Sequence, residues 1–407
     1  MTGTNRLDVG LLCLTGFLRS IATGLIGVVL GVYLFRLGYG SLEIGWVTAA
    51  GLSGSALVTA AITFRRTRFG RRKILALLAF LWGLGGIGLV TASSLPGLLL
   101  VAFAGMVNAM GTDRSASYVL EQSVLPNLVE DRDRTWAFSW YHLVLDAGGA
   151  IGALSAALPV VLQTWRGIPV TTAYTIILLG YAVLGFVSAT AYGLMSRRIE
   201  EPTTPPLRGL KLSAASKKRV YGLASLFAID SLGGGFLTDA VVAYWFFRRF
   251  GVSEAQLGVL FFLIHILNAV SHLGAAWLAT RIGLLRTMVF THLPSSLFLI
   301  AVPLASGFSS AAVLLLAREA LVEMDVPTRQ SYLAAVVQPH ERTFAAGVTN
   351  LSRNVFWALA SGLSGALMQN VTFSAPLIAG GGLKIVYDIL LYGKFRHITP
   401  PEEQSGR

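Results

Sequence analysis

The sequence predicts an all-α integral membrane protein with twelve transmembrane helices in two pseudo-symmetric six-helix bundles. Three observations carry this. Hydrophobic residues make up 54% of the 407 and charged residues only 13%, with a mean hydropathy of +0.66, about half the charged share of a soluble domain. The apolar residues fall in blocks of roughly 20, the length that crosses the hydrocarbon core as a helix with every backbone group bonded internally. Three short phrases also occur twice, once in each half of the chain.

The blocks come in order. The first, 9–35, is too long for a secretory leader and holds Arg19 in its middle, so it reads as a retained helix. Blocks 43–64 and 73–93 flank a basic phrase, TRFGRRKIL, from Thr67 to Leu75. Block 96–120 runs into TDRSASYVLEQS, where Asp113, Ser117 and Glu121 form one helical stripe with Arg114 beside it. Block 135–162 contains the small-residue run DAGGAIGALSAALP, and 169–195 completes the first half. The only long polar stretch follows, rich in proline and charge, and reads as a linker. The second half has blocks 219–247 with Asp230, 254–278 with His265, Asn268 and His272 on one face, 285–306, 308–333, 343–371 with Arg353, and 373–394 with Lys384 and Asp388. The domain organisation is therefore 1–196 for the N-terminal bundle, 197–218 for a cytoplasmic linker, 219–396 for the C-terminal bundle and 397–407 for a cytoplasmic tail.

A net charge of +12 invites a nucleic-acid reading, but its placement argues for topology. With both termini inside, most Lys and Arg fall in cytoplasmic segments, while Arg36, Arg166, Arg248 and Arg249 are the basic residues of outer loops. The expected location is the plasma (inner) membrane, multi-pass, with both termini cytoplasmic. The single cysteine, Cys13, has no partner for an internal disulfide.

The repeated phrases sit at matching helix ranks. LRSIATGL at 18–25 pairs with IDSLGGGF at 229–236, TRFG at 67–70 with TRIG at 280–283, and DRTWA at 133–137 with ERTFA at 341–345. A parallel six-plus-six repeat is a transporter plan. Over essentially its whole length the chain resembles the major facilitator superfamily. That family's signature follows its second helix: Gly, three residues, Asp, a basic residue, any residue, Gly, Arg, and Arg or Lys. The basic and glycine positions match at Arg68, Gly70, Arg71 and Arg72. Thr63 and Thr67 replace the family's first Gly and its Asp. The second half keeps Arg281 and Gly283, and the family too has a weaker second copy. The resemblance implies alternating access, a latch at these loops, and a central path lined by helices 1, 4, 7 and 10. A second resemblance, to the glycine-rich run of antiporters, rests on Gly148 and Gly152, with Ala153, Ala156 and Ala157 departing from the pattern. It tilts the expectation toward efflux by an antiporter.

Ionisable groups inside such helices are functional candidates. For substrate contact or coupling these are Arg19 and Asp230, which the repeat sets in related places and which could face each other, together with Arg318, Glu319 and Glu323 of the heavily charged tenth helix, LAREALVEMDVPTRQSY. A carboxylate in low dielectric tends to keep its proton, so Asp230, Glu319 or Glu323 is a candidate proton carrier. For a cytoplasmic gate the candidates are Arg68, Gly70, Arg71, Arg72, Asp113, Arg114, Glu121, Arg281, Gly283, Asp325 and Arg329, with Asp325 and Arg329 paired at i, i+4. Lys384 and Asp388 have the same spacing and are expected to pair. The sequence lacks a phosphate-cradling loop, Cys/His metal spacing and a nucleophile elbow. The expectation is a secondary transporter, not an enzyme, with no cofactor or metal. Its partners would be a small organic or amphipathic solute, protons as coupling ion, and the lipid bilayer, and it would act as a monomer without nucleic acid. The alternative is a non-transporting receptor or assembly protein on the same scaffold.

Overall fold

The computed structural model describes residues 3–64, 70–113, 115–129, 134–200, 214–337 and 342–397. Arg68, Arg114, the middle of the expected linker at 201–213 and the tail after His397 lie outside the described residues. Each of the twelve apolar blocks falls on helix, and no strand occurs among the described residues. Five spans are single helices: α1 (Gly3–Arg36), α2 (Ser41–Phe64), α3 (Arg71–Thr91), α8 (Val170–Leu194) and α11 (Glu254–Ile282). So are α12 (Leu284–Ala301), α15 (Arg342–Asn370) and α16 (Ala375–Phe395). The other four are interrupted. The fourth is α4 (Leu95–Ala104) then α5 (Ala116–Leu128); the fifth is α6 (Arg134–Leu154) then α7 (Leu158–Arg166). The seventh is α9 (Ala214–Gly235) then α10 (Asp239–Phe250), and the tenth is α13 (Phe308–Val322) then α14 (Asp325–Val336). Nine stretches among the described residues are long and apolar enough to cross a membrane.

The breaks have local causes. Gly105 ends α4, three glycines at 233–235 close α9, and Pro159 opens α7. Pro327 sits in the first turn of α14. It has no N–H for the carbonyl of Glu323, and its ring would clash with that group, so the tenth span cannot run straight through.

The chain divides into two compact units, Met1–Pro206 with Thr238–His265, and Leu207–Leu237 with Ile266–Arg407. In the first, α1 packs closely on α6: a Cβ on Gly152 would run into the carbonyl of Ile21, and one on Gly148 into that of Phe17. Gly148 and Gly152 of the fifth span's small-residue run are thus used in packing. In the second unit, Phe227, Tyr332, Tyr387 and Phe395 are core members, all nearly inaccessible. Leu57, Leu100, Val183, Val313 and Trp277 are exposed. Water would penalise such a surface; lipid is its natural solvent. The expected linker residues 197–200 form a 3-10 turn, and 214–218 belong to the first turns of α9.

Candidate functional site

In the first unit the site is built on the broken fourth span. Between α4 and α5 the backbone leaves helix for Gly105–Asp113 and is held by its own side chains. Asn108 donates from Nδ2 to the Thr112 carbonyl at 2.9 Å and accepts at Oδ1 from the Met110 N–H at 3.1 Å. Asp113 Oδ1 accepts from the Ser115 N–H at 3.1 Å, and Ser115 Oγ caps α5 by accepting from the Tyr118 N–H at 3.2 Å. Met106 and Gly111 have positive φ, 50° and 82°. Gly111 also meets Asp239, whose carboxylate fills the space a Cβ would need, so both conformation and room require glycine.

Arg19, midway along α1, reaches this unwound segment. Its Nε donates to Asp113 Oδ2 at 2.5 Å, and its two terminal nitrogens both donate to Glu121 of α5. Glu121 also accepts from Thr15 Oγ1 at 2.9 Å, from Tyr192 at 2.5 Å and from Tyr141. Arg19 and Glu121 are buried, and the guanidinium fork serves both carboxylates at once, a geometry lysine cannot provide. Beside the pair lies a cavity of about 40 Å³, whose lining includes Arg19, Asp113, Asn108, Trp82, Met106 and Tyr181. By sequence, Arg19 and the Asp113–Glu121 stripe fall into different groups, and Asp113 falls on a helix. The structure joins them and corrects the second point, because Asp113 lies in the unwound stretch.

In the second unit Asp230 of α9 is held by cations from three helices. Lys384 Nζ donates to Oδ1 at 2.8 Å and Arg329 to Oδ2 at 2.9 Å, with Arg353 at 3.9 Å. Arg329 also pairs with Asp325 at 3.1 Å, and Arg353 lies 4.5 Å over the Trp357 ring. Arg19 and Asp230 each have their counter-ions inside their own unit. One expectation is corrected here: Lys384 and Asp388 do not pair. Lys384 turns to Asp230, and Asp388 is bonded by His292 of α12, with Nδ1 3.0 Å from each oxygen. His292 carries no repeat or motif, and only its isolation in an apolar block could have marked it. On α13, Arg318 and the buried Glu319 bond each other. Asn268 of α11, with its amide nitrogen turned to that helix, donates to Glu319 Oε2 at 3.2 Å. Glu323 stands at the break between α13 and α14.

A family model of the Major Facilitator Superfamily matches residues 12–322. The chain belongs to the Major Facilitator Superfamily. It is a multi-pass membrane transporter and not an enzyme. It is also 25% identical over 94% of its length to an uncharacterized membrane protein of Saccharomyces cerevisiae, YJR124C, of which 93% is covered. In fold it resembles the D-xylose–proton symporter (14% identity, all of both chains, TM-score 0.75). It also resembles a bacterial homologue of the human lysosomal transporter Spinster, inward-facing and occupied (14% identity, 97% of this chain and 98% of that one, TM-score 0.74).

In the superfamily's signature loop the chain lacks the acidic residue, having Thr67. A carboxylate nevertheless reaches the start of α3. Glu200, from the 3-10 turn after α8, accepts from the backbone N–H of Arg71 at 2.5 Å and of Arg72 at 3.2 Å. The Arg72 guanidinium donates to the Met195 carbonyl at 3.0 Å. Gly70 is the N-cap of α3, and a Cβ there would strike the Glu200 carboxylate. Glu200 escaped the sequence reading because it looks like one more charged linker residue. In the second copy, Arg281 stacks 4.6 Å from the Trp277 ring centroid, and Gly283, at φ 89°, begins α12.

Proposed function

We propose that this transporter moves a small organic, amphipathic solute by alternating access, driven by protons, with the Arg19–Asp113 cavity as its polar contact in the first unit. One observation carries the reading. The fourth span is unwound for Gly105–Asp113, in the segment where Arg19 meets Asp113 and the cavity opens. Non-helical backbone at membrane depth survives only where protein or a cavity satisfies it, and broken helices mark transporter sites. A passive scaffold has no need of either. The lining mixes an ion pair and the Asn108 amide with the apolar faces of Leu78, Trp82, Met106 and Tyr181, which suits a solute with one polar end. Proton drive is supported by the store of buried titratable groups in both units. Both termini in the cytoplasm, with two halves at 1–196 and 219–396, is the topology the basic residues favour.

The test uses the full chain in liposomes with an imposed pH gradient, and a rhodamine cation, taurocholate and a neutral alkyl glucoside as probes. At least one probe accumulates with the gradient. Asp113→Asn, which keeps the shape and removes the charge, lowers that flux by roughly tenfold or more, equivalent to about 1.4 kcal/mol, with expression yield retained. Binding of a probe without flux would instead support a receptor.

A further inference from the structure

The transport reading leaves the buried imidazole of His292 without a task. Three helices meet at it. Nδ1 lies 3.0 Å from both oxygens of Asp388 on α16. Nε2 lies 3.2 Å from Lys384 Nζ, also on α16, and 3.7 Å from Oδ1 of Asp230 on α9. Lys384 spans the gap, donating to the same Oδ1 at 2.8 Å. The Tyr387 ring stands perpendicular to the imidazole with centroids 5.8 Å apart. Further charged groups on the neighbouring helices include Arg329 and Asp325 on α14, Arg353 on α15, and Arg318 with Glu319 on α13, with Glu323 at the end of α13.

These contacts fix the ring's proton. An ammonium offers three donors and no acceptor, so the nitrogen facing Lys384 must present its lone pair. The single N–H of the neutral ring is then on Nδ1 and is donated to Asp388. Nε2 is left as a base, aimed at a lysine and, just beyond it, a carboxylate.

We propose that His292 is the proton-binding site of the second unit and that its protonation replaces Lys384 by His292 on Asp230. The proton comes from water and adds to Nε2; no bond is broken, and Nδ1–H stays on Asp388. The resulting imidazolium puts a second donor against the ammonium. The acceptor within reach of Nε2–H is Asp230 Oδ1, so Lys384 gives way there, and the direct ion pair between α9 and α16 is lost until the proton leaves. As the seat of the coupling proton, this site rests on the transport reading; as a proton-binding site it does not.

The experiment is a pH titration of the full chain in lipid nanodiscs, ¹⁵N-labelled in histidine and lysine, with His292 signals assigned by their loss in His292→Gln. A chain keeping His292 as its lone histidine, the others changed to Gln, gives the assignment independently should that variant fold poorly. At the alkaline end the proton sits on Nδ1. On acidification Nε2 takes up a proton, and the Lys384 Nζ resonance shifts in the same step. In Lys384→Gln the lysine response disappears while the histidine still titrates. A neutral ring protonated on Nε2, no uptake before the chain unfolds in acid, or uptake that leaves Lys384 unmoved would overturn the proposal. Titration without any solute flux in liposomes would remove the transport reading and leave the proton site. Flux without titration would do the reverse.

Discussion

A single guanidinium holds the first unit's charged site together, and that makes a graded prediction possible. Truncating one partner of a buried ion pair strands the other, at a cost on the order of 3–5 kcal/mol, and Arg19 has two carboxylate partners. Arg19→Leu therefore produces the largest drop in thermal unfolding temperature of purified protein. Arg19→Lys keeps the charge, loses the fork and falls between. Tyr192→Phe removes one of several donors to Glu121 and costs about 1 kcal/mol. Equal shifts for Arg19→Leu and Tyr192→Phe would show that the site does not depend on the arginine. Arg19 and Asp230 were legible in the sequence as lone charges inside apolar blocks. Their partners were not, because Asp113 is 94 residues from Arg19 and Lys384 is 154 from Asp230. Helical spacing reports only neighbours one or two turns away, which is why Lys384 was wrongly given to Asp388.

At the scale of elements, hydropathy alone placed each apolar block on helix, because a bilayer allows helices and little else. The interruptions were partly legible: Pro327, Pro159 and the glycines at 233–235 announce them, whereas nothing in the stripe Asp113–Ser117–Glu121 warned that its first member is unwound. The cap on α3 was invisible, since Glu200 lies 129 residues from Arg71. A carboxylate on the first free N–H groups of a helix is worth about 0.5–2 kcal/mol. Glu200→Ala loses it directly. Gly70→Ala drives a methyl group into the same carboxylate and displaces it. Because both changes break one contact, the double variant loses clearly less than the sum of the singles. The check is a double-mutant cycle on unfolding midpoints in detergent; strict additivity would mean that Glu200 and Gly70 act separately.

At the scale of the whole molecule, the first unit contains a segment from beyond the midpoint of the sequence, Thr238–His265. Arg36 at the end of α1 donates twice to Glu254, the first residue of α11, at 3.0 and 2.5 Å, and Tyr174 of α8 donates to the same oxygen at 2.6 Å. Arg36 also lies over the Tyr174 and Phe247 rings. Arg36 belongs to the first six-helix half and Glu254 to the second, and the proposed topology puts both at the outer face. The alternating access proposed above requires such a contact to open once per cycle. Deleting either partner would confound gating with stability, because Arg36 is 32% exposed but Glu254 only 3%, and a buried carboxylate or its donors left unpaired are costly. Its role is therefore better tested by covalent closure than by deletion. In a Cys13→Ser background, Arg36→Cys with Glu254→Cys is joined by a short cleavable cross-linker and assayed in liposomes. Cross-linking abolishes flux, and reduction restores it. Full flux in the cross-linked protein would mean that Thr238–His265 stays fixed to the first unit throughout the cycle, and that the outer path opens elsewhere.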